Sequence, residues 1–308
     1  MEKATRQRIE LVFSFFIFIL FSQKNYISIK KQAIGMQTHI GGQAIINGIM
    51  LLNKEQCVMG VKTKKGIKLK KEPLPKYART SIFKIPIIRG FFQLILMLHL
   101  GIKAMIWSAE QSEGEKLKTG ELFLSVCFAT ALAIGLFIIL PFIISKLFFK
   151  GFFFNLIDGL LRIGFFIGYV AAIGRLKDAK EMFQYHGAEH KVVNCYEAYT
   201  SISLEKAQKC STIHKRCGTA FIGIVLIVSI FLFSLIKGSW QIKLLSRIFL
   251  IPLVAGISYE LLKLNAKKEI FVTKILIYPG LLIQRLTTKE PTESQLTLAV
   301  RVIKELIR

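Results

Sequence analysis

The amino-acid sequence predicts a mainly α-helical membrane protein with about four transmembrane helices, a small β-containing N-terminal module and amphipathic helices. Three observations support this fold class. Hydrophobic residues make up 53% of the 308 positions. Several apolar runs approach the ~20 residues that a helix needs to cross a bilayer. Basic residues, which give a net charge of +24, flank these runs.

The excess of Lys and Arg indicates membrane topology and attraction to anionic lipid headgroups. Nucleic-acid binding is the other common cause of a high basic charge. We do not expect it, because the basic residues do not form one stripe interleaved with aromatic residues. The five cysteines are an odd number without framework spacing. This argues against a disulfide scaffold and favours reduced thiols.

Residues 1–35 consist of a charged head and the short apolar run Leu11–Phe21. The run is shorter than a bilayer-spanning helix, and no small-residue cleavage site follows it. We therefore expect an interfacial or partly inserted extension, with an additional span as the alternative.

Residues 36–80 are expected to form a small basic β module on the membrane surface. The segments Cys57–Lys62 and Gly66–Lys70 alternate at period two on either side of a turn, which predicts a hairpin. The glycine pair before them is explained either by turn geometry or by a loop that lines a site. In the second case, Gln43 and Asn47 are candidate site-lining residues.

Residues 81–120 are predicted to contain an amphipathic helix and a linker. The stretch Pro86–Trp107 is apolar, but its polar residues fall partly on one side. We therefore expect it to lie in the membrane interface or to pack on the helical bundle. The charged segment Glu110–Glu121 is the linker.

Residues 121–264 are predicted to be a membrane region of four helices with a loop at 175–217. The second span contains Asp158 and Arg162, which are four positions apart and can pair on one helix face. A structural ion pair is one role for them, and a pathway for ions is the other. The predicted spans are Leu122–Ser145, Phe152–Ile173, Thr219–Ile236 and Ile248–Leu264.

The distribution of basic residues sets the expected orientation. The N-terminal module, the loop 175–217 and the tail 265–308 are rich in Lys and Arg. The two remaining turns are short, and the second holds Lys237, Lys243 and Arg247. With four spans, the three basic segments lie on one side, which the positive-inside rule assigns to the cytoplasm. We therefore expect a cytoplasmic central loop and C-terminus.

The tail is predicted to end in an amphipathic helix. Thr292 and Gln295 have the spacing of a capping box, and apolar residues then recur on one face. This helix is expected to dock on the β module or on a second subunit.

The central loop contains the motif H-x-x-E-H. On a helix, His186, Glu189 and His190 share one face, and Glu197 continues the same stripe. Two imidazoles one turn apart can bind a divalent metal, and a nearby carboxylate can take a proton from water. The alternative is a polar helix face whose histidines bond backbone groups or pair with the glutamate. Gly187 is tolerable in this helix if backbone or a ligand comes close.

Three residues are candidates for the third metal ligand. His214 and Cys217 lie close together at the entrance to the third span, and Glu260 lies near the end of the fourth. Pairing of Glu260 with Lys263 is the alternative for that carboxylate. Imidazole with Cys or carboxylate favours zinc, with iron or manganese as alternatives. Glu189 is the expected general base.

Several motifs together resemble the YqhQ-like bacterial membrane proteins of unknown function, and they cover roughly residues 36–308. The resemblance implies an integral membrane protein with an H-x-x-E-H site, commonly labelled a predicted metal-dependent enzyme. This chain has Asn47, Lys215 and Ala220 where the family pattern has Glu, Pro and Ser. The matching motifs are Gly41–Ile45, Gln184–Lys191, Arg216–Thr219, Pro252–Glu260 and Gln284–Pro291.

The leading functional hypothesis is a multi-pass protein of the bacterial cell membrane with a metal site at the cytoplasmic face. If the site is catalytic, we expect hydrolysis of a peptide or a lipid-linked substrate at the membrane surface. A membrane scaffold or assembly factor that docks a protein partner is the first alternative. A metal or small-solute carrier that uses Asp158 and Arg162 is the second.

Overall fold

The computed structural model of the chain describes residues 40–114, 119–199, 201–267 and 271–308. The predicted N-terminal extension lies outside the described residues. The α-helices of the described part are α1 (Ile88–Glu113), α2 (Thr119–Ile134), α3 (Leu140–Phe148), α4 (Gly151–Ile173), α5 (Lys177–Tyr199), α6 (Leu204–Gln208), α7 (Gly218–Ser234), α8 (Trp240–Phe249), α9 (Ile251–Lys267), α10 (Phe271–Thr287) and α11 (Glu293–Ile307).

Four strands form one antiparallel sheet in the order β1-β2-β3-β4. The predicted hairpin is confirmed, because β3 and β4 pair along their length up to Thr63, which lies opposite Gly66. Every residue of β1 and β2 is buried, whereas most of β4 is exposed or half-buried. The strands are β1 (Gly41–Ile45), β2 (Gly48–Leu52), β3 (Gln56–Thr63) and β4 (Gly66–Pro73).

Helices cover both faces of this sheet. A Cβ on Gly60 of β3 would lie 2.3 Å from Val302 Cγ2, so this face packs closely on α11. On the opposite face, Lys70 Nζ lies 5.9 Å from the ring centroid of Trp107 in α1. Helix α5 also packs on β1 and β2. The last helix thus docks on the sheet as expected, and the Thr292–Gln295 capping box is confirmed.

Three described helical segments are long and apolar enough to cross a membrane: Ile88–Ser112, Phe123–Phe148 and Phe153–Ile173. The second of them combines α2 and α3 through the π-helical turn Gly135–Ile139. Helices α8 and α9 form a pair bent by 53°, which would make a fourth span if the pair acts as one. These three to four helices are compatible with a membrane protein.

The stretch Pro86–Trp107 was predicted to lie in the membrane interface or to pack on the helical bundle. It belongs to the 25-residue candidate span Ile88–Ser112, which is half buried inside the protein and packs on α9, so the second alternative is observed. Its polar residues are paired: Arg89 binds Glu260, and Lys103 Nζ lies 2.7 Å from a Glu72 carboxylate oxygen. The span predicted at Thr219–Ile236 differs, because α7 is an apolar helix of 17 residues.

The predicted ion pair within α4 is confirmed and gains a third member. Arg162 Nη2 lies 3.0 Å from Asp158 Oδ2, and Arg247 Nη2 lies 2.8 Å from the same oxygen. Arg247, which we expected in a surface turn, is 1% exposed, and its guanidinium lies over the rings of Phe142 and Phe154. This arrangement favours a structural role for the cluster over a pathway for ions.

Candidate metal centre

Helix α5 carries the H-x-x-E-H motif into the interior of the protein. The side chains of His186, Glu189 and His190 are all buried, with at most 2% exposed. The two imidazole rings are neighbours, with centroids 4.4 Å apart and an interplanar angle of 63°. The spacing of one helical turn therefore brings the rings together, as expected.

The hydrogen bond of His186 defines its tautomer. Its Nδ1 lies 2.9 Å from the carbonyl oxygen of Thr287. A carbonyl oxygen only accepts, so Nδ1 carries the proton and donates it. The other nitrogen, Nε2, then holds a lone pair and lies 3.1 Å from Cys217 Sγ.

His190 has the same arrangement. Its Nδ1 donates a short hydrogen bond to the carbonyl oxygen of Thr212, so its Nε2 also holds a lone pair. Metal-binding histidines commonly donate their second ring N–H to a carbonyl or carboxylate, which fixes the ring and the tautomer. Both imidazoles of the motif satisfy this requirement through backbone carbonyls.

Cys217 completes a group of three donors. The thiol is 0% exposed and precedes the first turn of α7, and Thr219 Oγ1 donates to its sulfur at 3.4 Å. One donor atom from each of His186, His190 and Cys217 lies within 4.8 Å of the others. Tetrahedral zinc, with ligand distances of about 2.0–2.3 Å, requires donors roughly 3–4 Å apart. His186 Nε2 and Cys217 Sγ, which are 3.1 Å apart, already have this spacing.

Glu189 lies beside this group and against the sheet. Its Oε2 is 3.8 Å from His190 Nε2. A Cβ on Gly42 of β1 would lie 3.3 Å from Glu189 Oε1 and 2.4 Å from the carbonyl oxygen of Met50. Both glycines lie in strand β1, not in a turn or a loop. Because Gly42 has no side chain, it leaves room for the Glu189 carboxylate.

His214 and Glu197 form an outer layer near the motif. The ring centroids of His214 and His190 are 5.7 Å apart. His214 Nε2 lies 3.4 Å from Glu197 Oε2, and Glu197 also pairs with Arg216. The side-chain amide of Gln284 accepts a hydrogen bond from the backbone N–H of His214 and donates one to the backbone carbonyl oxygen of His214. His214 therefore lies next to the group formed by His186, His190 and Cys217 but is not one of its three donors.

The remaining candidates lie in other surroundings. Glu260 binds Arg89, with Oε1 2.6 Å from Arg89 Nε, so its partner is this arginine on α1. Asn47 lies in the turn between β1 and β2 with φ 52°, a left-handed conformation that asparagine tolerates well. Gln43 is adjacent to Gly42 in β1 and therefore points to the opposite sheet face, away from Glu189.

Gly187 lies where the tail meets α5. A Cβ at this position would lie 2.0 Å from the carbonyl oxygen of Lys289. The Lys289 N–H donates to the carbonyl oxygen of Phe183 at 2.9 Å. The expectation that backbone approaches this glycine is therefore confirmed, and the contact holds the segment after Thr287 against the helix.

The alternative that the two histidines bond backbone groups is observed at both Nδ1 atoms, but the sequence could not identify the two carbonyls. A carbonyl oxygen is present at every position, so neither Thr212 nor Thr287 carries a residue-type signal. The basic residues around Arg216 are evident in the sequence, but the pairing of Arg216 with Glu197 depends on a tertiary contact.

Comparisons with known proteins agree with the sequence resemblance. A family described as "Protein of unknown function (DUF1385)" matches residues 85–308. The uncharacterized protein YqhQ of Bacillus subtilis (strain 168) is 34% identical over 295 residues, which cover 87% of this chain and 92% of that relative. No solved structure has a significant match to the chain.

Proposed function

The chain belongs to the DUF1385 family, as its resemblance predicted, and we propose that it is a metal-dependent hydrolase of the membrane surface. One observation supports the metal above all. Both imidazoles of the H-x-x-E-H motif donate Nδ1–H to backbone carbonyls, and His186 Nε2 faces the buried thiol of Cys217.

This donor set suits zinc. Imidazole nitrogens and a cysteine sulfur are both zinc ligands, and three protein ligands leave one coordination position open. His186 and His190 are 2% and 0% exposed, so bulk water does not compete with an ion for their Nε2 atoms. The bound ion would supply Lewis acidity and lower the pKa of a water in the open position.

Glu189 has the position of a general base. Its Oε2 lies 3.8 Å from His190 Nε2, the ring nitrogen that does not bond the Thr212 carbonyl oxygen. A carboxylate at this position can accept a proton from the attacking water and return it to the leaving group. Because Glu189 is 0% exposed, its charge acts in surroundings of low dielectric constant, where such interactions are strong.

The apolar helices support a substrate at the membrane surface. Segments Phe123–Phe148 and Phe153–Ile173 are each only 28% buried inside the protein, so apolar side chains remain for lipid. A peptide or a lipid-linked molecule is therefore the substrate class that this architecture fits best.

Metal content tests the proposal. Protein purified in detergent and supplied with Zn²⁺ should hold one ion per chain by mass spectrometry, and the double variant His186→Ala/His190→Ala should hold none. His99→Ala is the matched control, because His99 lies on α1 in edge contact with Tyr77 and should not affect the ion. Native protein without zinc, or a double variant with as much as the native chain, would overturn the metal site.

A second measurement, an assay for hydrolysis, distinguishes the hydrolase from a membrane scaffold. If native protein holds zinc but hydrolyses no ester or peptide in a broad panel, the ion is structural. The proposal of a hydrolase then fails although the metal site stands.

A further inference from the structure

A cavity lies along α5 beyond the candidate metal centre. It has a volume of 460 Å³ and is bordered by α5, the segment 209–216 and the end of α9. Asn194 and Glu197 line it and follow His190 at positions i+4 and i+7 of the same helix face. At a rise of 1.5 Å per residue, Glu197 lies about 10 Å from His190 along the helix axis.

The charged residues that line this cavity are mostly basic. Lys209, Lys215 and Arg216 contribute three cations, and Glu197 contributes one carboxylate. Arg216 is buried and pairs with Glu197. The net positive charge therefore comes from the two lysines, which are exposed at the rim. The cavity therefore favours an anionic ligand.

A buried amide offers a second contact within the cavity. Asn265 lines it from α9 and is 6% exposed, and its Oδ1 has no hydrogen-bond partner among the described residues. Burying an amide oxygen without a donor is unfavourable. A ligand hydroxyl would satisfy this oxygen.

The cavity also lies at the end of an apolar segment. Asn265 ends the apolar part of the bent pair α8–α9, which would be the fourth span if the pair acts as one. Residues at such an end meet the zone of lipid headgroups, where exposed lysines attract anionic lipids. Position, charge and the buried acceptor thus point to one kind of ligand.

We propose that this cavity is a subsite for a phosphate ester that carries a free hydroxyl, such as a glycerol phosphate headgroup. The basic side chains bind the phosphate, and Asn265 accepts a hydrogen bond from the hydroxyl. The role of the subsite in catalysis rests on the proposed hydrolase: it would hold the phosphate of a substrate about two turns of α5 away from the candidate metal centre. Binding itself does not require the metal.

Calorimetric titration of the detergent-solubilised full chain tests the subsite. The probes are dihexanoyl phosphatidylglycerol, dihexanoyl phosphatidylcholine, glycerol phosphate and inorganic phosphate. Phosphatidylglycerol should bind at least tenfold more tightly than phosphatidylcholine, whose headgroup has no hydroxyl. If glycerol phosphate also binds, the soluble headgroup is sufficient for binding. If only phosphatidylglycerol binds, the ligand is a lipid. Both outcomes support the subsite. Equal binding of the two lipids overturns it.

Variants locate the binding site. Lys209→Gln/Lys215→Gln should weaken phosphatidylglycerol binding at least tenfold. Lys64→Gln/Lys65→Gln makes the same charge change in the exposed turn between β3 and β4 and should leave the affinity unchanged. An equal loss in both double variants would show a general effect of surface charge and overturn the subsite.

Two further variants separate the contacts and the two proposals. Asn265→Leu should abolish the preference for glycerol phosphate over inorganic phosphate, and an undiminished preference would contradict its role. The variant His186→Ala/His190→Ala should bind phosphatidylglycerol like the native chain. If the metal proves absent but this binding persists, the hydrolase fails and the subsite stands. If zinc is bound but the lysine variants bind the lipid normally, the subsite fails alone.

Discussion

Gln284 and the backbone of His214 exchange two hydrogen bonds across 70 positions of sequence. The His214 N–H donates to Gln284 Oε1 at 3.0 Å, and Gln284 Nε2 donates to the His214 carbonyl oxygen at 2.9 Å. The amide is fully buried. This pair ties the segment before α7 to α10, and the same segment supplies the Thr212 carbonyl and the Cys217 thiol. The candidate metal centre is therefore built jointly by α5, this segment and α10.

Glu189→Gln should separate metal binding from catalysis. The amide keeps the shape of the side chain but cannot accept the proton of water. We expect unchanged zinc content and a 10²–10⁴-fold fall in turnover of any ester or peptide that the native chain hydrolyses. Mass spectrometry and a substrate panel measure the two quantities. Loss of zinc in this variant would contradict the assignment of Glu189 as a base that does not hold the ion.

Gly187→Ala should destabilise the protein although alanine is the better helix former. The added Cβ would lie 2.0 Å from the Lys289 carbonyl oxygen and would force the tail away from α5. We expect a loss of about 1–3 kcal/mol in unfolding free energy, as for overpacked cores, together with weaker zinc retention. Thermal unfolding in detergent and metal content measure these effects.

Gly164→Ala is the control for this substitution. Gly164 lies within α4, and a Cβ there has no neighbour within 4 Å. This variant should keep or gain stability, because alanine favours the helix by about 1 kcal/mol. Equal losses in both variants would contradict the proposed role of the Lys289 contact.

Asp158→Asn should be strongly destabilising. It removes the carboxylate shared by two buried guanidinium groups, and leaving a buried charge without its partner costs about 3–5 kcal/mol. Arg162→Gln leaves Asp158 paired with Arg247 and should have a smaller effect. Chemical unfolding of both variants in detergent makes the comparison. A larger loss from Arg162→Gln would show that the shared carboxylate is not the centre of this cluster.

Glu72 should contribute stability that depends on pH. Burial raises the pKa of its carboxyl, but hydrogen bonds from Lys103 and Lys70 outweigh this effect and lower the pKa below its ordinary value of 4.5. Because its folded-state pKa is lowered, Glu72 stabilises the fold at pH values above its ordinary pKa. This stabilisation is lost as the pH falls through the folded-state pKa.

The measurement for Glu72 is a comparison of melting temperatures. Native protein should have a higher melting temperature than Glu72→Gln at pH 7, and the difference should shrink below pH 4.5 and vanish once the pH lies below the lowered folded-state pKa of Glu72, where both side chains are neutral. A difference that does not change with pH would show that the ion pairs of Glu72 with Lys70 and Lys103 do not stabilise the fold.

Local sequence patterns were sufficient for much of this architecture. The β3–β4 hairpin and the Thr292 cap follow from residues within a few positions of each other, and both are observed. The H-x-x-E-H spacing likewise predicted that two rings share one helix face. These features depend on backbone periodicity, which a single sequence displays directly.

Features that depend on distant partners were less accessible. Arg89 and Lys103 looked like markers of an interfacial helix, because their partners Glu260 and Glu72 lie far away in sequence. His214, Cys217 and Glu260 were equal candidates for the third ligand by residue type. Only the packing of α7 against α10 and of α9 against α1 brings the Cys217 sulfur to His186 and the Glu260 carboxylate to Arg89.

The bond between His186 and the Thr287 carbonyl oxygen has a consequence for biosynthesis. Its two residues are 101 positions apart, and helices α6 to α10 are made in the interval. A growing chain that has just exposed the motif therefore lacks both the sulfur and the carbonyl that orient the first imidazole. Under the proposed function, the three ligands would come together only after the intervening helices have been synthesised and packed, so we expect ion uptake to be a late step in maturation.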